Sequence, residues 1–191
     1  MKTILATIVA LVITIPSSIN AAENFYVGIS VGSTSAEDAC DGVIVGASCD
    51  DSDSGAKIFG GVQVTENWGF EVSIIDLGEV SLSIPGARET IEAVAISVSG
   101  IGTLPITPEF GIFGKLGLYR WDVEDTLTIG FSSATIEDSG TDIMFGIGAK
   151  YLFTERVEGR VEWENYKDVG DELTTGQSDV NLISVGASFS F

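Results

Sequence analysis

The sequence predicts an all-β protein, a transmembrane, antiparallel, up-and-down β-barrel of eight strands. Three observations lead there. Past a short apolar leader, apolar residues recur at every second position in eight segments of about ten residues, the length a tilted strand needs to cross a bilayer. The opposite face of these segments is rich in Gly, Ser and Ala, with a few long charges of both signs, which suits a crowded lumen better than a solvated surface. The connections alternate between short and long, as they do when turns on one side of a membrane are tight and loops on the other are free. Composition agrees: of 191 residues 45% are apolar, only 19% are charged, and 23 are Gly. A soluble β-sandwich is the competing architecture, and the loop asymmetry argues against it.

The leader comes first. Lys2 supplies a positive charge, residues 4–15 (ILATIVALVITI) form an apolar run, and Pro16, Ser17 and Ser18 break it. Ala21 and Ala22 offer small residues for cleavage. This is the layout of a secretory signal peptide over residues 1–22, cut after Ala21 or Ala22. The run is too short for a membrane helix, which needs about 20 residues. Residues 23–191 then form one barrel domain.

The strands follow in order. Residues 25–32 set Phe25, Val27, Ile29 and Val31 against Tyr26, Gly28, Ser30 and Gly32. Residues 56–65 set Ile58, Val62 and Val64 against Lys57, Phe59 and Gly61, and residues 68–76 set Phe70, Val72 and Ile74 against Gly69, Glu71 and Ser73. In 90–102 Val94, Ile96 and Val98 oppose Ala93, Ala95, Ser97 and Ser99; in 110–122 Ile112, Leu116 and Leu118 oppose Gly111, Lys115 and Gly117. In 142–153 Ile143, Phe145 and Ile147 oppose Asp142, Gly146, Gly148 and Lys150. Residues 157–166 set Val161 and Trp163 against Glu158, Arg160, Glu162 and Glu164, and residues 180–191 set Ile183, Val185, Ala187, Phe189 and Phe191 against Ser184, Gly186 and Ser188. The apolar face carries hardly a charge, as contact with lipid requires.

The short connections are 65–67, 103–109 and 154–156; the long ones are expected as loops over 33–55, 77–89, 123–141 and 167–179. Short turns face the periplasm in outer-membrane barrels, so both chain ends fall there. Phe25, Tyr26, Trp68, Phe70, Phe110, Tyr151, Phe153, Phe189 and Phe191 cluster beside the short turns, as an interfacial girdle does. In an oxidising compartment Cys40 and Cys49 read as a loop-closing disulfide, because their neighbours Asp41, Asp50 and Asp51 disfavour a reactive thiolate.

The formal charge of −19, with 28 Asp and Glu against 9 Lys and Arg and no His, excludes several classes. Nucleic-acid binding is opposed by the charge. His-based catalysis and imidazole metal sites have no residue to use, and no enzyme activity, metal or cofactor is expected. Glu37, Asp38, Asp41, Asp50, Asp51 and Asp53 cluster in the first long loop, but their spacing is not that of a calcium-binding EF-hand, and a solvated acidic loop is the simpler reading. Divalent bridging to lipopolysaccharide phosphates is the alternative for that loop.

Four stretches give the chain a family likeness: Asn67-Trp68-Gly69-Phe70-Glu71, Leu104-Pro105-Ile106-Thr107, Lys115-Leu116-Gly117-Leu118-Tyr119-Arg120-Trp121, and Arg160-Val161-Glu162-Trp163. In this order and spacing they resemble the OmpA-like eight-stranded outer-membrane barrels of Gram-negative bacteria. The likeness is to the transmembrane domain, with no peptidoglycan-binding domain expected. It implies a lumen network of Glu71, Lys115, Arg160 and Glu162, the same residues that the alternation places on the polar face. Gln177 stands where the resemblance implies a further arginine near the start of the last strand. The terminal SVGASFSF, with Phe189 and Phe191, looks like the signal read by the barrel-assembly machinery.

The expected function is structural and surface-interacting: ion pairs plug the lumen, the wall sits in outer-membrane lipid and lipopolysaccharide, and the loops meet a host or surface ligand. A narrow-pore channel for ions or small solutes and a host-surface adhesin are the alternatives. If the ion pairs are the plug, Glu71→Ala or Lys115→Ala is expected to raise conductance.

Overall fold

A computed structural model describes residues 25–37, 39–40, 48–130, 132–171 and 176–191. The expected signal peptide lies outside these residues, as do Asp38 and Asp41. The described residues form nine strands: β1 (Phe25–Ala36), β2 (Ser48–Asp50), β3 (Ser52–Gln63), β4 (Trp68–Ile84), β5 (Ala87–Pro105), β6 (Phe110–Ile129), β7 (Ser132–Leu152), β8 (Val157–Asp171) and β9 (Gly176–Ser190). β2 is a short flap on β4. The other eight make the wall, each antiparallel to the next, and β1 closes the ring by pairing with both β3 and β9. Closure gives every wall strand two partners and leaves no open edge in hydrocarbon.

The register keeps like faces together. Ile29 lies opposite Ile58 and Ala187, and Val98 opposite Val72 and Leu118. A slip of one residue would turn each apolar row into the lumen. Leu116 and Trp68 are each 66% exposed, and Ile147, Ile183 and Ile29 are nearly as open. Such a continuous apolar exterior is a lipid-facing surface. Of the expected aromatic girdle, Tyr26 departs: its hydroxyl points inward and donates to Glu71 Oε2 at 3.0 Å.

The three tight turns share one device. The Oγ1 atoms of Thr65, Thr107 and Thr154 each accept from the amide three residues on, at Trp68, Phe110 and Val157, at 3.0 Å in every case. The preceding amides of Val64, Ile106 and Phe153 donate to the same three residues' carbonyls at 2.9 Å. Threonine thereby satisfies backbone groups that a four-residue turn leaves without a ladder partner.

At the other end three of the expected loops are largely strand. β4 and β5 run on to a Pro85-Gly86 turn with Gly86 at φ 89°, and β6 and β7 stay paired out to Ile129 and Ser132. β8 and β9 pair as far as Asp171 and Gly176. The first loop also shortens, because residues 52–55 pair with β1. Ser, Gly and Asp make these stretches look like loops, but the interspersed Thr, Ile and Leu favour extended backbone. β4 carries a bulge between Asp76 and Glu79, where Gly78 takes φ 78° and its amide donates to Asp76 Oδ1 at 3.0 Å. Cys40 and Cys49 are disulfide-bonded, with Cα atoms 5.8 Å apart.

Candidate functional site

The lumen is the candidate site, and the inward positions of β3, β4, β6 and β8, with Lys150 of β7, build it. β3 contributes Lys57 and Phe59, β4 Glu71, β6 Phe113 and Lys115, and β8 Glu158, Arg160, Glu162 and Glu164. The four residues expected there come together. Lys115 Nζ lies 2.6 Å from Glu71 Oε1, and Arg160 Nη1 lies 2.8 Å from Glu71 Oε2 and 3.3 Å from Glu162 Oε1. Lys115 also bonds Glu162.

The ring is larger than the sequence reading gave. Lys57 Nζ bonds Glu162 Oε2 at 2.8 Å and Glu164 Oε2 at 2.6 Å, while Lys115 reaches Glu164 Oε1 at 3.2 Å. Glu158 extends it toward the short-turn end, meeting Arg160 at 3.4 Å and Lys150 at 3.3 Å. Four cations face four carboxylates, so the layer is neutral, as burial in a low-dielectric interior demands. The alternation already put Lys57 and Glu164 on the inner face; their part in the ring depends on which strands lie across the lumen. Gln177 joins none of this. It is exposed at the far end of the barrel, opposite Gly170, and Lys57 supplies the additional cation instead.

Aromatic rings clamp the charges. The Arg160 guanidinium sits 4.1 Å from the Phe59 ring centre and 5.6 Å from that of Phe113, within cation–π reach. The lumen glycines make room for these rings: a Cβ on Gly28 would lie 2.2 Å from Phe59 Cζ, and one on Gly148 2.4 Å from Phe113 Cζ.

Toward the long-hairpin end the filling changes. Ile75, Tyr119, Trp121, Met144, Tyr166 and Leu182 are buried in one apolar cluster. Tyr119 and Tyr166 pack edge to face at 5.2 Å, and the Tyr119 hydroxyl donates to the Lys167 carbonyl. A polar vestibule of about 260 Å³ between Tyr26, Lys150, Glu158 and Arg160 opens at the short-turn end. A cavity of about 160 Å³ between Ala36, Leu77, Val80, Ile91 and Val123 opens at the other. The ionic and apolar layers lie between them. Phe189 and Phe191 face outward with ring centres 5.6 Å apart, and the Phe191 amide donates to the Phe25 carbonyl at 3.1 Å. No three His, Cys, Asp or Glu converge on a metal position among the described residues.

The family model of the OmpA-like transmembrane domain matches residues 20–191. The chain belongs to that family. Outer membrane protein A of Salmonella typhi is 29% identical over 139 residues, covering 72% of this chain. The chain spans about 40% of the length of that curated relative. Among solved structures, Ail, the attachment invasion locus protein of Yersinia pestis, has a TM-score of 0.60 at 14% identity, covering 88% of this chain and 99% of Ail. Its complex with the heparin analogue sucrose octasulfate gives 0.52 at 12%, with the same coverage. Neisserial surface protein A gives 0.56 at 15%, covering 87% of this chain and 97% of its own. As an OmpA-like transmembrane domain, the chain is a β-barrel of the Gram-negative outer membrane, with its tight turns on the periplasmic side.

Proposed function

We propose that this barrel is a closed, non-enzymatic anchor whose extracellular end is its interaction surface. The filled lumen carries this reading. A neutral salt-bridge layer and an apolar layer are stacked along the axis, and each alone blocks the path of a hydrated ion. The apolar layer changes what is expected of single substitutions: Glu71→Ala or Lys115→Ala leaves Trp121 and its neighbours in place. Planar-bilayer recording tests the proposal. The wild type and Glu71→Ala are expected to show no steady conductance; a stable, large wild-type conductance would establish the channel reading instead.

The projecting hairpins favour a surface or adhesive role. Ail binds a sulfated sugar, and this surface has the wrong sign for one: its cations Arg88, Arg120 and Lys167 are far outnumbered by carboxylates such as Glu79, Glu92, Asp122, Glu124 and Glu137. A cationic partner, or divalent cations shared with lipopolysaccharide phosphates, fits it better. Phe189 and Phe191 serve as the assembly signal in this reading. Deleting Phe191 is expected to reduce insertion by the barrel-assembly machinery, and unchanged insertion would reject that role.

A further inference from the structure

β4, β5, β6 and β7 continue beyond the wall as a blade of four long strands, with the three-residue β2 on its β4 edge. β8 pairs with β7 only over 144–152, and the β3–β4 ladder stops at Ala56 and Asp76. Residues 132–137 of β7 have β6 on one side, from Ile129 to Glu124. On the other side no strand lies among the described residues, and all six are exposed. A bare strand edge presents unpaired backbone groups in the geometry that another strand requires. This one stands clear of the lipid belt, since Glu137 is roughly 20 Å along the strand from Ile143, the last outward apolar residue of β7.

The two faces of the blade differ. On the outer face Glu79, Glu92, Glu124 and Glu137 form one row, each directly opposite the next across four strands. Directly opposed like charges destabilise a sheet. Among the described residues one cation meets this row, Arg88, at 3.2 Å from Glu79 at the end remote from β7. On the inner face Leu127, Ile129 and Ile136 are exposed to water, Ile136 to 52%. Glu137 thus ends the row at the edge that no described strand covers, beside an exposed isoleucine.

We propose that this edge is a strand-addition site. An extended segment of a partner protein pairs with residues 132–137 as an added edge strand, setting a Lys or Arg opposite Glu137 and apolar side chains against Ile136 and Leu127. Main-chain hydrogen bonds hold it, and the alternating side chains select it. A second copy is a poor occupant, because its own 132–137 edge carries a glutamate and no cation to set opposite Glu137. The inference rests on the surface-interaction reading and names its partner class.

The test uses the intact protein in nanodiscs and a synthetic peptide alternating Ile and Lys. The peptide is expected to bind, to protect the amides of 132–137 from hydrogen exchange, and to lose about tenfold in affinity against Glu137→Lys, where attraction becomes repulsion. The same peptide N-methylated on alternate amides is expected not to bind, and a peptide alternating Ile and Glu to bind weakly. Failure of the Ile/Lys peptide to bind, equal binding of the N-methylated or acidic peptide, or protection away from β7 would overturn the site. So would protection of 132–137 arising from dimerisation without peptide. Planar-bilayer recording on the same preparation separates the two levels: a closed barrel with no strand addition refutes this site alone, whereas a conducting barrel refutes the reading beneath it.

Discussion

The periplasmic half of the lumen holds eight charges tied in salt bridges, while the extracellular half holds Ile75, Tyr119, Trp121 and Tyr166 a few residues further along the same strands, with Leu182 of β9 beside them. The same inward alternation builds both, yet they tolerate change differently. A buried charge needs its partner at bonding distance, so each side chain of the ring depends on the others. An apolar layer needs volume and shape, and its contacts are many and interchangeable.

The largest expected effect lies in the ring. Glu162→Ala leaves Lys57, Lys115 and Arg160 short of a shared carboxylate and is expected to destabilise the barrel by about 3–5 kcal/mol, typical for breaking a buried pair. Denaturant unfolding in lipid, together with the heat-dependent shift in gel mobility, measures it; a loss under about 1 kcal/mol would mean that the ring is solvated. Leu182→Ala in the apolar layer is expected to cost about 2–5 kcal/mol, set by how far the cavity relaxes, with the charged ring intact. A Leu182→Ala loss well above that of Glu162→Ala would invert the comparison. Reducing the Cys40–Cys49 disulfide is expected to cost at most about 2–3 kcal/mol, confined to its loop, with wall amide protection unchanged.

The smallest effect is a pH dependence of the blade. Burial, then the charge of Asp125 and a hydrogen bond with it, raises the Glu89 carboxyl above its ordinary range; burial likewise raises Asp125, against a smaller opposing effect from Glu89. A carboxyl raised in the folded state contributes stability that is complete below its unfolded pKa of about 4 and is lost as pH rises through the folded value. The blade is therefore expected to be better protected in mild acid than at neutrality, after correction for intrinsic exchange rates, and Glu89→Gln to flatten the difference. Stronger protection at neutrality would contradict the assignment.

The wall was legible in the sequence because lipid on one side and a packed lumen on the other impose strict alternation. Ile58, Val72, Val98, Leu116 and Ile183 all face where their spacing puts them. The alternation also put Glu71, Lys115, Arg160 and Glu162 on the inner face, but it did the same for Lys57 and Glu164; it was the family resemblance that singled out the four as a network. The blade was not legible: residues 80–92 and 123–137 lie above the bilayer, where neither face must be apolar, and their Ser, Asp and Gly read as loops. The apolar layer was hidden for another reason. Alternation marks Tyr119, Trp121 and Met144 as inward but not what lies across the lumen from them, and only the closed ring shows them meeting across the axis.

The β5–β6 and β6–β7 ladders run unbroken from the tight turns to the tips, whereas the β4–β5 and β8–β9 ladders are each interrupted by a bulge. This makes the middle of the blade a stiff keel rooted in the membrane wall. A strand seated along its edge and pulled along its own length would load all its hydrogen bonds at once, in shear; pulled sideways, it would open them one after another. The fold thus gives an attachment at this edge a direction in which it grips and one in which it peels.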